Sequence, residues 1–345
     1  MHSILAELLA GRSLSEAQAE EAICAILEGR ANESQVGAFL ALMAAKGPTV
    51  DEIVGGARQM RAHVTPVPVE ADGSVVIDTC GTGGAAKTFN VSTAAAIVAA
   101  AAGETELPRG AARVKVAKHG GRSRSGRGSA EVLATLGVNV DASPAKQARC
   151  LAEAGVCFSF AVNHHPAMKF AAVPRKSLGF PTIFNLLGPL CNPARASRQL
   201  MGVYDARYAP MIGEALARLG AERAMVVHGR DGMDEISTTA PTLVVEVKDG
   251  RVATSELDVA QLGAPRAQIE DLIARDLDDA ARMVRDVMTG RPGPALEIAV
   301  VNAGAALLVG GAAPDLPSGM AMARRAIESG ASARTLEALA RLSNA

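Results

Sequence analysis

The sequence contains few aromatic residues and no excess of charge. Its 345 residues include no Trp, two Tyr and seven Phe, so few rings are available to stack on nucleic-acid bases. Lys and Arg total 35 against 36 Asp and Glu, which leaves a net charge of −1. Because no overall field attracts such a chain to nucleic acid or to an anionic membrane, we expect neither partner. Any polyanionic ligand must bind at a local site.

Cysteines and long apolar runs are also scarce. The cysteines are Cys24, Cys80, Cys150, Cys157 and Cys191. None forms a C-x-x-C pair, which favours buried thiols in a reducing compartment and gives no signal for structural zinc. The apolar run 94–102 is far shorter than the roughly 20 residues that span a bilayer. The N-terminal stretch has no basic leader typical of a signal peptide, so we expect a cytoplasmic protein.

The chain has enough apolar material for a large core, with 49% hydrophobic residues, and its length corresponds to about two domains. The first seventy residues predict only helices. Asn32 with Gln35, and Thr49 with Glu52, have the spacing of capping boxes. We therefore predict a helical domain over 1–70, joined by a crossover segment around 165–193 to a second domain over 71–345.

From residue 71 onward, short apolar runs alternate with Ala-rich segments, a pattern typical of an α/β domain. The predicted strands are 75–78, 114–117, 156–160, 200–204, 225–228, 242–247 and 252–254. Asp249-Gly250 suits a type I′ hairpin turn between the last two. The expected fold class is α/β, with a small helical N-terminal domain and a larger domain built on a central mixed, mostly parallel sheet.

Two glycine-rich loops each follow a predicted strand and precede a helix. The first runs from Gly81 to Thr93 and the second, K-H-G-G-R-S-R-S-G-R-G-S, spans 118–129. Glycines let the backbone approach an anion, and the N–H groups at a helix start favour phosphate. The loops match neither G-x-x-x-x-G-K-[ST] nor G-x-G-x-x-G. Together they favour a ligand with two phosphate groups; the alternatives are a plain capped turn and a mobile basic surface loop.

An adjacent acid pair, Asp234-Glu235, follows the predicted strand 225–228. Magnesium often binds through one or two carboxylates together with substrate phosphates, so the pair is a candidate metal site. The alternative is a solvated turn or the acidic start of a helix. Asp231-Gly232, just before the pair, predicts only a turn.

The segment 165–193 is rich in Pro, Gly and basic residues and predicts neither a regular helix nor a strand. Arg175 within it can form a planar two-bond contact with a carboxylate, which Lys cannot. His164 and His165 are adjacent, so they cannot share a helix face as zinc ligands. A core or capping role is the alternative for one of them. We interpret the segment as a functional crossover.

The motifs H-H-P-A-M-K at 164–169 and T-I-F-N-L-L-G-P-L-C-N-P-A at 182–194, together with both loops, resemble those of the anthranilate phosphoribosyltransferase family. The resemblance runs the whole length of the chain. It implies transfer of a phosphoribosyl group from 5-phosphoribosyl 1-diphosphate to anthranilate in tryptophan biosynthesis. It also implies Mg²⁺ and a homodimer joined through the helical domain.

The resemblance further implies site residues, with no covalent nucleophile among them. Donor binding falls on Gly81, Gly83, Gly84, Thr88, Asn90, Ser92, Thr93, Lys118, Gly120, Gly121, Ser123, Ser125 and Ser129. The implied metal ligands are Ser92, Asp234 and Glu235, and the implied acceptor contacts are Arg175, His165 and Gly188.

The sequence departs from the family pattern in three places. The family's G-T-G-G-D-G loses its acid after Gly84, its K-H-G-N ends here in Gly121, and about ten extra residues lie near 104–113. These departures leave alternatives open: another aromatic acceptor, a nucleoside phosphorylase-type reaction, or a non-catalytic binding protein on the same fold.

Overall fold

The structure is a computed structural model that describes residues 1–84, 88–107, 110, 112–123 and 126–345. Its N-terminal part consists of helices. They are α1 (His2–Leu9), α2 (Glu16–Leu27), α3 (Glu33–Lys46) and α4 (Val50–Ala62). The capping boxes predicted at Asn32 and Thr49 both form, and a third, at Ser15, begins α2. Each satisfies backbone N–H groups that have no partner inside the helix.

Within the described residues, seven strands form one sheet in the order β3-β2-β1-β4-β5-β6-β7. They are β1 (Val75–Gly81), β2 (Val114–Gly120), β3 (Val156–Phe160), β4 (Arg198–Gly202), β5 (Arg223–Gly229), β6 (Thr242–Lys248) and β7 (Arg251–Leu257). The pairs from β3 through β5 are parallel, and β5-β6-β7 are antiparallel. Asp249 and Gly250 have φ of 50° and 74°, as a type I′ turn requires. The predicted fold class is confirmed.

Helices cover both faces of the sheet. Those after β1 are α5 (Val91–Thr105), α6 (Ser129–Thr135), α7 (Pro144–Ala154), α8 (Ala161–His164), α9 (Lys169–Leu178), α10 (Ile183–Leu187), α11 (Tyr208–Arg218), α12 (Leu277–Met288), α13 (Pro294–Gly310), α14 (Leu316–Glu328) and α15 (Ala331–Asn344). Leu200 and Met225 face a core formed with α5 and α12–α15. Met201 and Val226 face the opposite core, shared with α1–α4, α10 and α11. No helix in the described part of the chain has the length and apolarity to cross a bilayer.

The prediction that 165–193 contains no regular helix is wrong, because α9 and α10 lie there. Pro174 lies inside α9. A proline removes one helical hydrogen bond, which is why the sequence disfavours a helix here. Packing of α9 against α3, with Ala171 fully buried, outweighs that local cost. The domain boundary at residue 70 stays a prediction.

The described part of the additional segment near 104–113 lies where β2 begins. Glu106 accepts from Arg325 of α14 at 2.8 Å, and Glu104 pairs with Arg113 at 3.3 Å. Pro108, Arg109 and Ala111 lie outside the described residues. These ion pairs lie near the first residues of β2, and β2 ends at Gly120. They are therefore at the opposite end of the strands from the carboxyl ends.

Substituting Gly304 should destabilise the fold, because α13 and α14 touch there through their backbones. A Cβ at Gly304 would stand 2.6 Å from Met320 N. We expect Gly304→Ala to lower the free energy of unfolding by about 1–3 kcal/mol, as overpacking does, measured by urea denaturation. The matched control is Gly37→Ala in α3, where a Cβ meets no atom within 4 Å and stability should stay constant or rise by up to about 1 kcal/mol. If the two variants were equally stable, the close backbone contact between α13 and α14 at Gly304 would be contradicted.

Candidate active site

Four of the sheet's strands end in glycine at one edge. Gly81, Gly120, Gly202 and Gly229 are the last residues of β1, β2, β4 and β5. These strands are parallel, so their carboxyl ends meet at the same edge. The chain order reverses beside β1, which lies between β2 and β4. Ligands of open α/β sheets bind in the crevice at such a switch point.

The loop that carries the acid pair packs directly onto two of these strand ends. A Cβ at Gly81 would stand 2.5 Å from Asp234 Oδ2, and one at Gly202 would stand 1.7 Å from Asp234 O. Side chains at either strand end would therefore push the carboxylate out of the crevice. Glycine at these positions is what allows Asp234 to approach the sheet.

The three predicted metal ligands lie near one lysine: Ser92 by a hydrogen bond, and Asp234 and Glu235 by the effect of their charges on its pKa. Glu235 Oε1 accepts from Ser92 N at 3.1 Å. Lys118 Nζ donates to Ser92 Oγ at 3.1 Å and to Thr79 O at 2.6 Å. The three segments come from different strand ends, so only the sheet brings them within reach.

Burial dominates the electrostatics of this cluster. It raises the pKa of Asp234, and burial together with the Asp234 charge raises the pKa of Glu235 to about 8. Burial also lowers the pKa of Lys118, against the attraction of Asp78 and the acid pair. Two carboxylates thus share one buried ammonium group. An additional cation would neutralise the excess negative charge of the two carboxylates. The hydroxyl and carboxylate oxygens are ligands that suit Mg²⁺.

The first glycine loop supplies polar atoms that no described residue satisfies. Gly83 and Gly84 have φ of 64° and 95°, which side-chain-bearing residues rarely adopt. Asn90 Oδ1 and Thr93 Oγ1 are buried without a hydrogen-bond partner among the described residues. Thr88 Oγ1, in contrast, donates to Phe89 O at 3.1 Å. Unpaired buried polar atoms are costly, and a bound ligand would satisfy them.

The second loop folds against the first. Asn90 Nδ2 donates to Arg127 O at 3.2 Å, which brings the two loops together. Ser123 Oγ accepts from Arg127 N at 3.0 Å, and Ser129 Oγ donates to Gly121 O at 3.4 Å. A Cβ at Gly120 would stand 2.3 Å from Ser129 Oγ. Ser125 lies outside the described residues.

Two imidazoles lie side by side next to the second loop. The rings of His119 and His165 are 5.2 Å apart, and the Nε2 atom of each is buried without a hydrogen-bond partner among the described residues. Burial, then the charge of His164, lowers the pKa of His165 to about 4. Burial lowers the pKa of His119 too, against a hydrogen bond with the Gly188 backbone. His119 therefore contacts both His165 and Gly188. The rings of His119 and His165 are both neutral at pH 7.

Arg175 lies in the last turn of α9 with its guanidinium over the ring of Phe184, 5.3 Å from the centroid. Burial lowers its pKa, with no charge from an acidic neighbour in the described chain opposing that effect. Phe184 belongs to α10, which ends directly before Gly188. The arginine is thus half-buried and available for an anionic group on the acceptor side.

Sequence reasoning assigned no role to three residues that shape the site. Asn302, buried in α13, donates from Nδ2 to Ile236 O at 2.9 Å and accepts from Ile236 N at 3.0 Å, which holds the acid-pair loop. Asp78 Oδ1 accepts from His119 N at 3.0 Å. The available signals in the sequence were the amide of Asn302 inside an apolar helix and the carboxylate of Asp78 inside a strand, because buried polar groups need hydrogen-bond partners. His119 itself was visible only as part of the basic loop.

Two structural interpretations are confirmed. His164 is fully buried, with Nδ1 2.7 Å from Thr65 O and Nε2 2.9 Å from Gln147 Oε1, so it belongs to the core. Asp231 organises the turn before the acid pair by accepting from Met233 N at 3.1 Å and from Ser237 Oγ at 2.5 Å.

Two family models match the chain. Residues 73–333 match the glycosyl transferase family, a/b domain, and residues 2–64 match the glycosyl transferase family, helical bundle domain. The chain is 49% identical over 337 residues to the anthranilate phosphoribosyltransferase of Anaeromyxobacter sp. (strain K), covering 97% of this chain and 96% of that protein.

Solved structures agree with the sequence comparison. The anthranilate phosphoribosyltransferase from Thermus thermophilus superimposes with a TM-score of 0.90 at 35% identity, over 99% of both chains. The enzyme from Saccharomyces cerevisiae, in complex with PRPP and Mg, superimposes with a TM-score of 0.86 at 25% identity, over 99% of this chain and 97% of that one. The same yeast enzyme has been solved with 4-fluoroanthranilate. This chain therefore belongs to the anthranilate phosphoribosyltransferase family and is a phosphoribosyltransferase.

Proposed function

We propose that this cleft transfers the phosphoribosyl group of 5-phosphoribosyl 1-diphosphate (PRPP) to the amine of anthranilate, giving N-(5-phosphoribosyl)anthranilate and diphosphate in tryptophan biosynthesis. The convergence of Ser92, Asp234 and Glu235 around Lys118 carries the proposal, because a polyanionic donor needs such an oxygen-rich cation site. The yeast relative bound to PRPP and Mg, and to 4-fluoroanthranilate, supports both substrates.

The donor occupies the crevice between the two glycine loops. The proposed contacts are Gly81, Gly83, Gly84, Thr88, Asn90, Ser92, Thr93, Lys118, Gly120, Gly121, Ser123, Ser125 and Ser129. The unsatisfied Asn90 Oδ1 and Thr93 Oγ1 and the glycines at positive φ support this placement. The start of α5 adds N–H groups and its dipole, both of which favour phosphate.

Magnesium fits the ligand set of Ser92, Asp234 and Glu235, whose oxygens share, among the described residues, the one buried ammonium group of Lys118. When bound, the ion supplies positive charge that neutralises the diphosphate of the donor. Lys118 contributes a second positive charge at the same place. Because the leaving group is stabilised in this way, no covalent nucleophile from the protein is required.

The acceptor lies on the other side of Lys118, among Arg175, His165 and Gly188. Arg175 binds its carboxylate through two parallel hydrogen bonds, and the neutral rings of His119 and His165 leave the amine unprotonated. A neutral aromatic amine is nucleophilic, so positioning it at the ribosyl carbon suffices.

We also propose that the protein is a cytoplasmic homodimer joined through its helical domain. Leu9 of α1 is 76% exposed, and Phe170 and Val173 of α9 are exposed too. Exposed apolar side chains of this kind are common at subunit interfaces.

Removing the charges of the acid pair should disable the donor site. We expect Asp234→Asn with Glu235→Gln to weaken Mg²⁺-dependent PRPP binding at least about tenfold, or about 1.4 kcal/mol, by calorimetry. Thermal stability should stay constant or rise, because raised carboxyl pKa values mean that the ionised pair destabilises the folded state at pH 7. Asp278→Asn with Glu270→Gln removes two exposed charges as the control. Unchanged PRPP affinity in the acid-pair variant would refute the metal assignment.

Arg175→Ala should raise the KM for anthranilate or lower kcat/KM without changing PRPP affinity, because it removes the partner of the acceptor carboxylate. Arg175→Lys should restore little, since an ammonium group cannot make the two-bond contact. Steady-state kinetics with each substrate varied measures both effects. Lys176→Ala, at the exposed neighbouring position, is the control. Full activity of Arg175→Ala on anthranilate would exclude the carboxylate contact.

Gly121→Asn should improve kcat/KM for anthranilate about two- to twelvefold, the effect of one net hydrogen bond of about 0.5–1.5 kcal/mol. A Cβ at Gly121 meets no atom of the described residues within 4 Å, so the described chain leaves room for the amide. Gly37→Asn, in α3 and likewise with no atom within 4 Å of a Cβ, controls for the substitution itself. An unchanged or lower kcat/KM at equal PRPP affinity would show that no acceptor contact is missing there.

A further inference from the structure

A second cluster of metal-ligating side chains lies in the helical domain, away from the acid pair. The Sγ atom of Cys24, a carboxylate oxygen of Glu28 and a ring nitrogen of His63 all lie within 4.8 Å of one another. Cys24 and Glu28 are one helical turn apart on α2 and its C-cap, and His63 is the C-cap of α4. We propose that these three side chains form a binding site for Zn²⁺ that links the ends of α2 and α4.

The ligand chemistry selects zinc over magnesium. A thiolate and an imidazole are ligands that Zn²⁺ prefers, whereas Mg²⁺ takes oxygen. Tetrahedral zinc holds its ligand atoms roughly 3.5 Å apart, so rotations of the Cys24 and Glu28 side chains close the site. Cys24 gives its thiol proton to solvent when it binds, and water completes the fourth position.

The histidine is already oriented as a zinc ligand. His63 Nδ1 lies 2.8 Å from Gln59 O, so its N–H donates to a backbone carbonyl and Nε2 keeps its lone pair. Metal-binding histidines are commonly oriented in this way. His63 is also half-buried, which restricts its rotamers.

The other two ligand side chains, Glu28 and Cys24, already bind a cationic group, the guanidinium of Arg30. Arg30 donates from Nε to Glu28 Oε2 at 2.7 Å and from Nη2 to Cys24 Sγ at 3.5 Å. The carboxylate and the sulfur therefore converge on one point that attracts positive charge. The Arg30 side chain is 55% exposed, so it can move into solvent when the metal binds.

The scaffold under the site is rigid. α2 and α4 approach so closely that a Cβ at Gly55 would stand 2.4 Å from Glu16 O. Both helices end at the site, and the negative ends of two helix dipoles favour a cation there.

Titration of the metal-free full-length protein with Zn²⁺, without Mg²⁺ and against a chromogenic chelator, tests the proposal. We expect one equivalent to bind. Cys24→Ser and His63→Gln should each weaken binding at least about tenfold. Arg30→Ala should strengthen it about three- to fivefold, because the competing ion pair is lost. With Co²⁺ as probe, the near-ultraviolet thiolate charge-transfer band should appear in the wild type and vanish in Cys24→Ser.

Two controls separate this site from others. His2→Gln, at an exposed position of α1, and Asp234→Asn, at the proposed magnesium site, should leave Zn²⁺ affinity unchanged. Circular dichroism and PRPP-dependent turnover of Cys24→Ser should match the wild type, which excludes misfolding as the cause. The proposal is overturned if the wild type binds no Zn²⁺, if Cys24→Ser or His63→Gln binds it with wild-type affinity, or if Arg30→Ala fails to tighten binding.

Discussion

The site depends on one constraint: two adjacent carboxylates must be held against the end of a parallel sheet beside the buried ammonium group of Lys118. Glycine at the ends of β1 and β4 permits the approach, since a Cβ at Gly81 or Gly202 would overlap Asp234. The side-chain amide of Asn302 holds the acid-pair loop in place by hydrogen bonding to both the backbone N–H and the backbone carbonyl of Ile236. The like charges that result are unfavourable in the protein alone, and that imbalance is the physical basis of the cation and phosphate site proposed here.

Lys118 and His119 divide the cleft into two chemically different halves. They are consecutive residues at the end of β2, so in this extended strand their side chains point to opposite faces. Lys118 reaches Thr79 and Ser92 on the proposed donor side, whereas His119 meets His165 on the proposed acceptor side. In the proposed reaction, charge is thus concentrated on the side where the diphosphate would leave, and neutral rings line the side where the amine would attack.

Two of the departures from the family pattern lie among the described residues, whereas residues 85–87, where the family's acid is lost, lie outside them. A Cβ at Gly121 meets no atom of the described residues within 4 Å, so an Asn there would not disturb the packing of the described chain. The described ion pairs of the additional segment, at Glu104 and Glu106, lie at the opposite edge of the sheet from the cleft. The acid pair, Lys118 and Arg175 are all retained, which agrees with catalysis and not with a binding protein that has lost its activity.

The sequence by itself determined the local signals: the capping boxes at Asn32 and Thr49, the turn at Asp249-Gly250, and the glycine loops after β1 and β2. Each depends on residues within a few positions of one another, so local propensity suffices. Tertiary structure alone decided that α9 is a helix despite Pro174, that Asn302 holds the acid-pair loop, and that Cys24, Glu28 and His63 converge. These features join residues from separate elements, and packing energy rather than chain-local preference sets them.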